Sequence, residues 1–207
     1  MLGIILCGGN STRMGRDKGM IPAAAHTWAG TAAEKMATLG IPVFISVNGG
    51  QLPQYMQIFP RGQLIPDDPT LSLKGPLAGL LSVHVKAPAH DLFVLACDLP
   101  LMDPILLQRL YLRRRQHKDA QAYLYTVDGE LEPLCGIYTA PGLAHITGLY
   151  QAQRLARHSM KYALDQLTVD SQPIPEDKKQ CFENFNYPSG PDQAPPATDP
   201  PPPAHAS

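Results

Sequence analysis

Residues 3–18 (GIILCGGNSTRMGRDK) constrain the fold of this chain more than any other segment. The apolar run 4–7 predicts a short buried strand, and a diglycine follows it at once. Glycine lets the backbone approach a ligand closely enough for its N–H groups to reach phosphate oxygens. Arg13 and Lys18 then add positive charge. The segment therefore predicts a strand, a glycine turn and a loop that holds a nucleoside triphosphate.

The spacing of this loop differs from the two commonest nucleotide-binding loops. It has no G-x-G-x-x-G pattern, and no G-K-[ST] follows at Walker A spacing. The alternative interpretation is a strand followed by a flexible basic turn, which a diglycine alone would only weakly oppose. The close grouping of Arg, Gly, Asp and Lys favours phosphate binding.

The complete segment resembles the signature L-x-G-G-x-S-x-R-M-G-x-D-K of the molybdenum cofactor guanylyltransferases, which are nucleotidyltransferases with a Rossmann-like fold. The resemblance extends over residues 3–188, and Cys7 stands where the family usually has alanine. Every fixed position of the signature is present, as Leu6, Gly8, Gly9, Ser11, Arg13, Met14, Gly15, Asp17 and Lys18.

Hydrophobic patterning beyond the first loop alternates between strands and helices. It predicts strands over 42–47, 64–65, 92–97, 121–127 and 134–138, and helices over 27–40, 75–86, 104–116 and roughly 141–166. The fold class is therefore α/β: a Rossmann-like, doubly wound, mostly parallel sheet with helices on both faces, in three α/β/α layers. The predicted nucleotidyltransferase domain covers 1–188. The proline-rich segment 189–207 has too few apolar residues to fold and is predicted to be a disordered tail.

Four loops that carry glycine or polar residues all follow predicted parallel strands. They are residues 7–18, 48–50, 66–75 and 97–100. Ligands of doubly wound sheets bind at the carboxyl ends of the strands. We therefore expect these loops to form one site.

Asp98 directly follows the predicted strand 92–97, where a carboxylate can bind a hard cation such as Mg²⁺. The alternative is an aspartate that caps the next turn. The segment C-D-L-P also resembles the family pattern C-D-x-P, whose aspartate holds the metal shared with the triphosphate. Asp98 is therefore predicted to bind Mg²⁺, and the resemblance makes it catalytic together with Arg13 and Lys18.

The resemblance also supplies the full set of predicted nucleotide contacts. It assigns them to Leu6, Cys7, Gly8, Gly9, Lys18, Asn48, Asp67 and Asp98, and to Gly75, Pro76 and Leu77 of the G-P-L-A-G loop. The neighbour Asp68 is an alternative to Asp67. The segment N-F-N-Y-P resembles the closing N-x-N-x-P of the family, which implies that Asn184 and Asn186 contact the pterin substrate. Taken alone, Asn48, Asp67, Asn184 and Asn186 are ordinary turn residues.

The resemblance implies transfer of GMP from GTP to molybdopterin, with release of pyrophosphate and formation of the guanine dinucleotide cofactor. Three alternatives stay open: a molybdopterin cytidylyltransferase, another sugar-phosphate-type nucleotidyltransferase, and a nucleotide-binding relative without activity. The cytidylyl branch usually carries A-A-G where this chain has C-G-G, and it lacks G-P-L-A-G. Transient contacts with other cofactor-biosynthesis proteins or with acceptor apoenzymes are also expected.

Composition limits the other possible partners. The 207 residues carry a net charge of −1, which predicts no nucleic-acid binding. The four cysteines show no C-x-x-C spacing, and the simplest interpretation is a reduced, cytoplasmic chain. No apolar stretch reaches the length of a bilayer span, so no membrane association is expected. The basic cluster 113–115 ends a predicted helix and is interpreted as a solvated face.

Overall fold

A seven-stranded, mostly parallel sheet forms the centre of the computed structural model, which describes residues 1–8, 17–23 and 26–183. The strand order is β5-β4-β1-β6-β8-β7-β9. The strands of this sheet are β1 Leu2–Leu6, β4 Val43–Val47, β5 Leu64–Pro66, β6 Leu92–Ala96, β7 Ala122–Val127, β8 Glu130–Tyr138 and β9 Val169–Pro173. A separate two-stranded antiparallel sheet pairs β2 Pro22–Ala23 with β3 His26–Thr27.

The half of the sheet formed by β5, β4, β1 and β6 is entirely parallel. Strand β1 pairs in parallel with both β4 and β6, and β5 extends the same arrangement beyond β4. Every residue of β6 is buried, as expected for a strand covered on both faces. Strand β8 runs antiparallel between β6 and β7, and β9 is parallel to β7.

Helices cover both faces of the sheet, which confirms the three-layer α/β/α prediction. The helices are α1 Trp28–Ala37, α2 Leu52–Tyr55, α3 Pro76–Lys86, α4 Pro104–Gln116, α5 Ala140–Gln151 and α6 Met160–Leu164. The core on one face includes residues of α1 and α4, and the core on the other includes residues of α3, α5 and α6. The chain thus winds outward from β1 to β5 and then returns through α3 to β6. The switch point of the sheet lies between β1 and β6.

The predicted β7–β8 hairpin is present, and its second strand begins earlier than the pattern indicated. Asp128 and Gly129 form the turn, with φ values of 51° and 85°. Positive φ at both central residues matches the twist of a tight hairpin, which is why Asp-Gly is favoured there. Strand β8 therefore starts at Glu130 rather than at residue 134.

The single helix predicted over 141–166 is divided into α5 and α6. Gln153 has a positive φ of 57°, and helix α6 starts only after Ser159, whose hydroxyl accepts a hydrogen bond from the Tyr162 N–H. A second N-cap of the same kind starts α4, where the Asp103 carboxylate accepts from the Ile105 N–H.

Strand β9 was not predicted, and it gives part of the basic cluster a structural role. The Arg113 guanidinium donates to both carboxylate oxygens of Asp170 in β9. Arg114 forms an ion pair with Asp91 at 2.9 Å. The interpretation of residues 113–115 as a merely solvated face is therefore wrong for these two side chains.

In the part of the chain that the structure describes, no helix has the length and apolar character needed to cross a bilayer.

Candidate functional site

The loops that follow β1, β4, β5 and β6 meet at one edge of the sheet. Backbone hydrogen bonds continue the parallel ladders to this edge: the Cys7 N–H donates to Ser46 O, the Asp67 N–H to Val47 O, and the Cys97 N–H to Leu6 O. The strands therefore end level with one another. This shared carboxyl edge, at the switch point between β1 and β6, is where ligands of doubly wound sheets bind.

A charged pair occupies the switch point. The Lys18 ammonium donates to Asp98 Oδ2 at 2.9 Å, although the two residues lie 80 positions apart in the sequence. Each side chain is 20% exposed, so both remain accessible to a ligand while being partly shielded from water. Two of the three predicted catalytic residues are thereby brought into direct contact.

The backbone that carries Lys18 is itself fixed. Lys18 starts a 3-10 turn, Lys18–Met20, and the Asp17 carboxylate caps this turn by accepting from the Gly19 N–H at 3.0 Å. A side chain at position 19 would collide with the hydroxyl of Tyr55. Glycine is therefore required where the turn packs against α2.

Asp67 presents a carboxylate at the same edge. Its Oδ1 atom is buried and has no hydrogen-bond partner among the described residues. Burial raises the pKa of this carboxyl, and nearby Lys86 opposes the rise only in part. Its Oδ2 atom lies 4.0 Å from the position that a Cβ on Gly8 would take. The unpartnered Oδ1 atom faces Gly79 of α3, and Oδ2 is the oxygen that lies beside Gly8.

The neighbouring carboxylate, Asp68, has a different environment. It accepts hydrogen bonds from both the N–H and the hydroxyl of Thr70, which lower its pKa. Asp68 therefore caps a local turn. Of the two alternatives left open by the sequence, the geometry favours Asp67 as the ligand-facing group.

The G-P-L-A-G segment forms the start of α3. Gly75 has a φ of 74°, a conformation that favours glycine, and Pro76 occupies the first turn of the helix. The Leu77 side chain is buried in the core, as is that of Leu6. For these two predicted site residues, only the backbone is left to contact a nucleotide.

Cys7 and Cys97 follow β1 and β6, and both thiols are buried. A hydrogen bond with Cys7, reinforced by burial, raises the pKa of Cys97. A thiol in this environment stays protonated and packs as a small apolar group. Cys7, at the position where the family usually has alanine, packs in the core on the same face of the sheet as α1 and α4.

The loop after β6 is braced by a residue that the sequence pattern did not reveal. Lys35 of α1 donates to the carbonyl of Pro100, two residues after Asp98. Burial lowers the pKa of this lysine. Nothing in the helical pattern of α1 distinguishes Lys35 from a solvent-facing lysine, so only the fold reveals the contact.

Four predicted site residues lie outside the described residues: Gly9, Arg13, Asn184 and Asn186. The predicted tail 189–207 lies outside them as well.

The oxygen atoms at this edge fit a hard cation that takes some of its ligands from the protein and the others from a substrate. Within residues 1–8, 17–23 and 26–183, no three His, Cys, Asp or Glu side chains are grouped to hold a metal ion. Mg²⁺ usually keeps several waters and binds through one or two carboxylates together with substrate phosphates. The partly exposed Asp98 carboxylate, beside Lys18 at the carboxyl edge of the sheet, is consistent with that mode of binding.

Comparison with known proteins agrees with this geometry. Residues 3–167 match the sequence profile of the family described as "MobA-like NTP transferase domain". The chain belongs to this family. As a MobA-like NTP transferase it is a nucleotidyltransferase, and the shared edge of β1, β4, β5 and β6 is its candidate active site.

Two curated relatives and one solved structure illustrate the similarity of this MobA-like chain. It is 29% identical over 190 residues to a protein of Halalkalibacterium halodurans named "Probable molybdenum cofactor guanylyltransferase", covering 90% of this chain and 93% of the relative. It is 32% identical to the molybdenum cofactor guanylyltransferase of Pseudomonas syringae pv. syringae, covering 79% and 78%. The crystal structure of molybdopterin-guanine dinucleotide biosynthesis protein A from Archaeoglobus fulgidus superposes with a TM-score of 0.71 at 19% identity, covering 91% and 93%, and so shares the fold.

Proposed function

We propose that this protein transfers GMP from GTP to molybdopterin, releases pyrophosphate and forms the guanine dinucleotide cofactor. The observation that carries the proposal is the contact of Lys18 with Asp98 at the switch point of a MobA-like fold. Relatives named as molybdenum cofactor guanylyltransferases, covered over most of their length, support the choice of substrates.

The reaction needs positioning and charge neutralisation more than acid–base chemistry. A terminal phosphate oxygen of molybdopterin attacks the α-phosphorus of GTP, and the bond from that phosphorus to the oxygen bridging to the β-phosphate breaks. The second pKa of a phosphate monoester is about 6, so the attacking oxygen is already anionic at neutral pH. No side chain has to remove a proton. Pyrophosphate leaves with the electrons of the broken bond.

Lys18 is proposed to bind the β- and γ-phosphates and to offset the charge that develops on pyrophosphate. Arg13 is proposed to act beside it, in keeping with the signature that both residues share. Asp98 is proposed to hold Mg²⁺, which when bound supplies positive charge to the phosphate oxygens. The described contact of Lys18 with Asp98 keeps the ammonium beside the carboxylate before substrate arrives.

Asp67 is proposed to recognise the guanine base. Guanine presents two adjacent donors, N1–H and the 2-amino group, and they complement a carboxylate at this edge whose Oδ2 atom lies beside Gly8. Cytosine offers a single amino donor on its pairing edge. Asp67 therefore favours a purine that pairs through two donors.

Asp67→Asn is expected to weaken GTP binding by about 10-fold or more, because an amide replaces a charged acceptor and presents N–H groups to a donor edge. Isothermal titration calorimetry with GTP measures the loss. Asp68→Asn is the matched control, since the neighbouring carboxylate serves Thr70. Equal affinities for wild type and Asp67→Asn would contradict the assignment.

The same substitution also predicts a pH-dependent change in stability. Because the pKa of Asp67 is raised on folding, its contribution to stability is fully present below the unfolded pKa and is lost as pH rises through the folded pKa. Asparagine removes this loss. At neutral pH, Asp67→Asn is therefore expected to melt at or above the wild-type Tm, and the difference should vanish as pH falls through the carboxyl range. The Tm of Asp67→Asn minus the Tm of wild type is the quantity to compare. If this difference were smaller at pH 7 than at acid pH, the result would contradict the expected sign.

The overall reaction is tested by pyrophosphate release on mixing the protein with GTP, Mg²⁺ and molybdopterin, with each component omitted in turn. We expect release only in the complete mixture, and little release when CTP replaces GTP. A preference for CTP would identify a cytidylyltransferase. GTP binding without pyrophosphate release would identify a nucleotide-binding relative that has lost transfer activity.

A further inference from the structure

We infer that Gln51 and Tyr55 are positioning residues for the triphosphate-binding lysine. They hold Asp17, and Asp17 fixes the turn from which Lys18 reaches Asp98. The inference rests on the proposed function, because it concerns how tightly that site holds GTP. Neither residue belongs to the signature that the sequence shares with the guanylyltransferases.

The amide of Gln51 connects three segments of the active-site edge. Its Nε2 donates to Cys7 O at 2.9 Å and to Asp17 Oδ2 at 2.6 Å, so one nitrogen contacts residues on both sides of the glycine loop. Its Oε1 accepts from the Asn48 N–H at 2.9 Å, and Asn48 Oδ1 in turn accepts from the Gln51 N–H at 3.0 Å. Both amide protons and the carbonyl oxygen are therefore satisfied, which fixes the orientation of the side chain.

Tyr55 completes the shell around Asp17. Its hydroxyl donates to Asp17 Oδ1 at 3.0 Å, and its side chain is fully buried and stacked on Phe59. Burial raises the pKa of the phenol well above its usual range, so the hydroxyl remains a donor at all physiological pH values. Asp17 thus accepts from the Tyr55 hydroxyl, the Gln51 amide and the Gly19 N–H at once.

The consequence for Lys18 follows from the flexibility of a lysine side chain. The four-carbon stem already has many rotamers, so an ammonium binds a phosphate more tightly when the backbone that carries it is fixed and adds no further freedom. Asp17 is the residue immediately before Lys18 and caps the turn that begins there. If the hydrogen bonds from Gln51 and Tyr55 were lost, the Gly19 N–H would be the one donor of these three that still holds the Asp17 carboxylate.

The test measures binding of GTP and of GMP, with Mg²⁺ and without acceptor, by isothermal titration calorimetry. Tyr55→Phe keeps the ring and removes the hydroxyl. We expect it to weaken GTP binding by about 5- to 10-fold, less than the full effect of one hydrogen bond to a charged group because the hydroxyl acts through Asp17, and GMP binding by no more than about twofold. GMP lacks the β- and γ-phosphates that Lys18 is proposed to hold.

A double-mutant cycle separates positioning from general destabilisation. In a Lys18→Ala background, Tyr55→Phe should weaken GTP binding by no more than about twofold, because the residue through which it acts is gone. Tyr125→Phe is the matched control. Tyr125 is also a buried tyrosine, but its hydroxyl donates to the backbone carbonyl of Leu106, at 2.9 Å, and not to Asp17. It should leave GTP binding within about twofold of wild type. Gln51→Met provides an independent variant with the same expected preference for GTP over GMP.

Three results would overturn the inference. The first is an equal effect of Tyr55→Phe and Tyr125→Phe on GTP binding. The second is that Tyr55→Phe and Gln51→Met each lose as much affinity for GMP as for GTP. Either leaves the proposed function standing. The third is a wild-type protein that binds no GTP, which would overturn the proposed function as well. If Tyr55→Phe melts far below wild type, Gln51→Met decides the question alone.

Discussion

Asp98→Asn is expected to lower kcat for GMP transfer by about 10²–10³-fold at saturating GTP, the scale of losing one preorganised electrostatic group. Asparagine is nearly isosteric and still offers an oxygen to the Lys18 ammonium, so the contact across the switch point can persist. The charge that is proposed to hold Mg²⁺ is lost. We therefore also expect the Mg²⁺ concentration for half-maximal activity to rise.

Asp91→Asn supplies a matched control for this experiment. Asp91 precedes β6 and Asp98 follows it, and the ion pairs of both residues measure 2.9 Å with nearly equal exposure. The two substitutions thus remove the same charge from opposite ends of one strand. Asp91→Asn should lower the Tm while kcat stays within about threefold of wild type, as expected for a site remote from the chemistry. Wild-type turnover by Asp98→Asn at saturating Mg²⁺ would contradict the metal role.

Lys18→Ala is expected to lower kcat/KM for GTP by about 10²–10³-fold. The ammonium is proposed to stabilise charge that grows on the β- and γ-phosphates as pyrophosphate departs, so kcat should fall as well as affinity. Inhibition by added pyrophosphate should weaken in parallel, because the product presents the same phosphates. Steady-state kinetics with varied GTP and with added pyrophosphate measure both effects.

The control for Lys18 is Arg114→Ala, which removes the cation of the matched pair at the other end of β6. Its kcat/KM should stay within about threefold of wild type at a temperature well below its Tm. A loss confined to KM in Lys18→Ala, with kcat unchanged, would mean that Lys18 binds ground state and transition state equally. That result would contradict its proposed action on the leaving group.

The sequence predicted the shared edge of β1, β4, β5 and β6 because parallel strands are buried on both faces. The runs that became β1, β4 and β6 are nearly continuous in apolar residues, so their ends could be located, and polar residues at those ends had to meet. Lys18 and Asp98 could therefore be placed together from pattern alone.

Residues that act through tertiary contacts could not be predicted in the same way. Gln51 and Tyr55 lie in and beside a single turn of helix and contact Asp17 from 34 and 38 positions away. No local periodicity marks them. Strand β9 was missed for a similar reason: its sequence, VDSQP, has little apolar character and is held partly by the bond from Arg113 to Asp170.

The family resemblance identified which sequence positions lie at the candidate site. It did not identify which atoms of those residues can contact a ligand. Leu6 and Leu77 match the signature and the G-P-L-A-G loop, yet their side chains belong to the core. Asp67 and Asp68 are adjacent and chemically identical, and only their hydrogen-bond partners distinguish them.

A crystal structure of the complex with GTP and Mg²⁺ would examine these assignments most directly. We expect the β- and γ-phosphates within ion-pair distance of Lys18, the metal bound to Asp98 and to phosphate oxygens, and guanine hydrogen-bonded to Asp67. A triphosphate bound elsewhere, without contact to Lys18 or Asp98, would contradict the proposed active site.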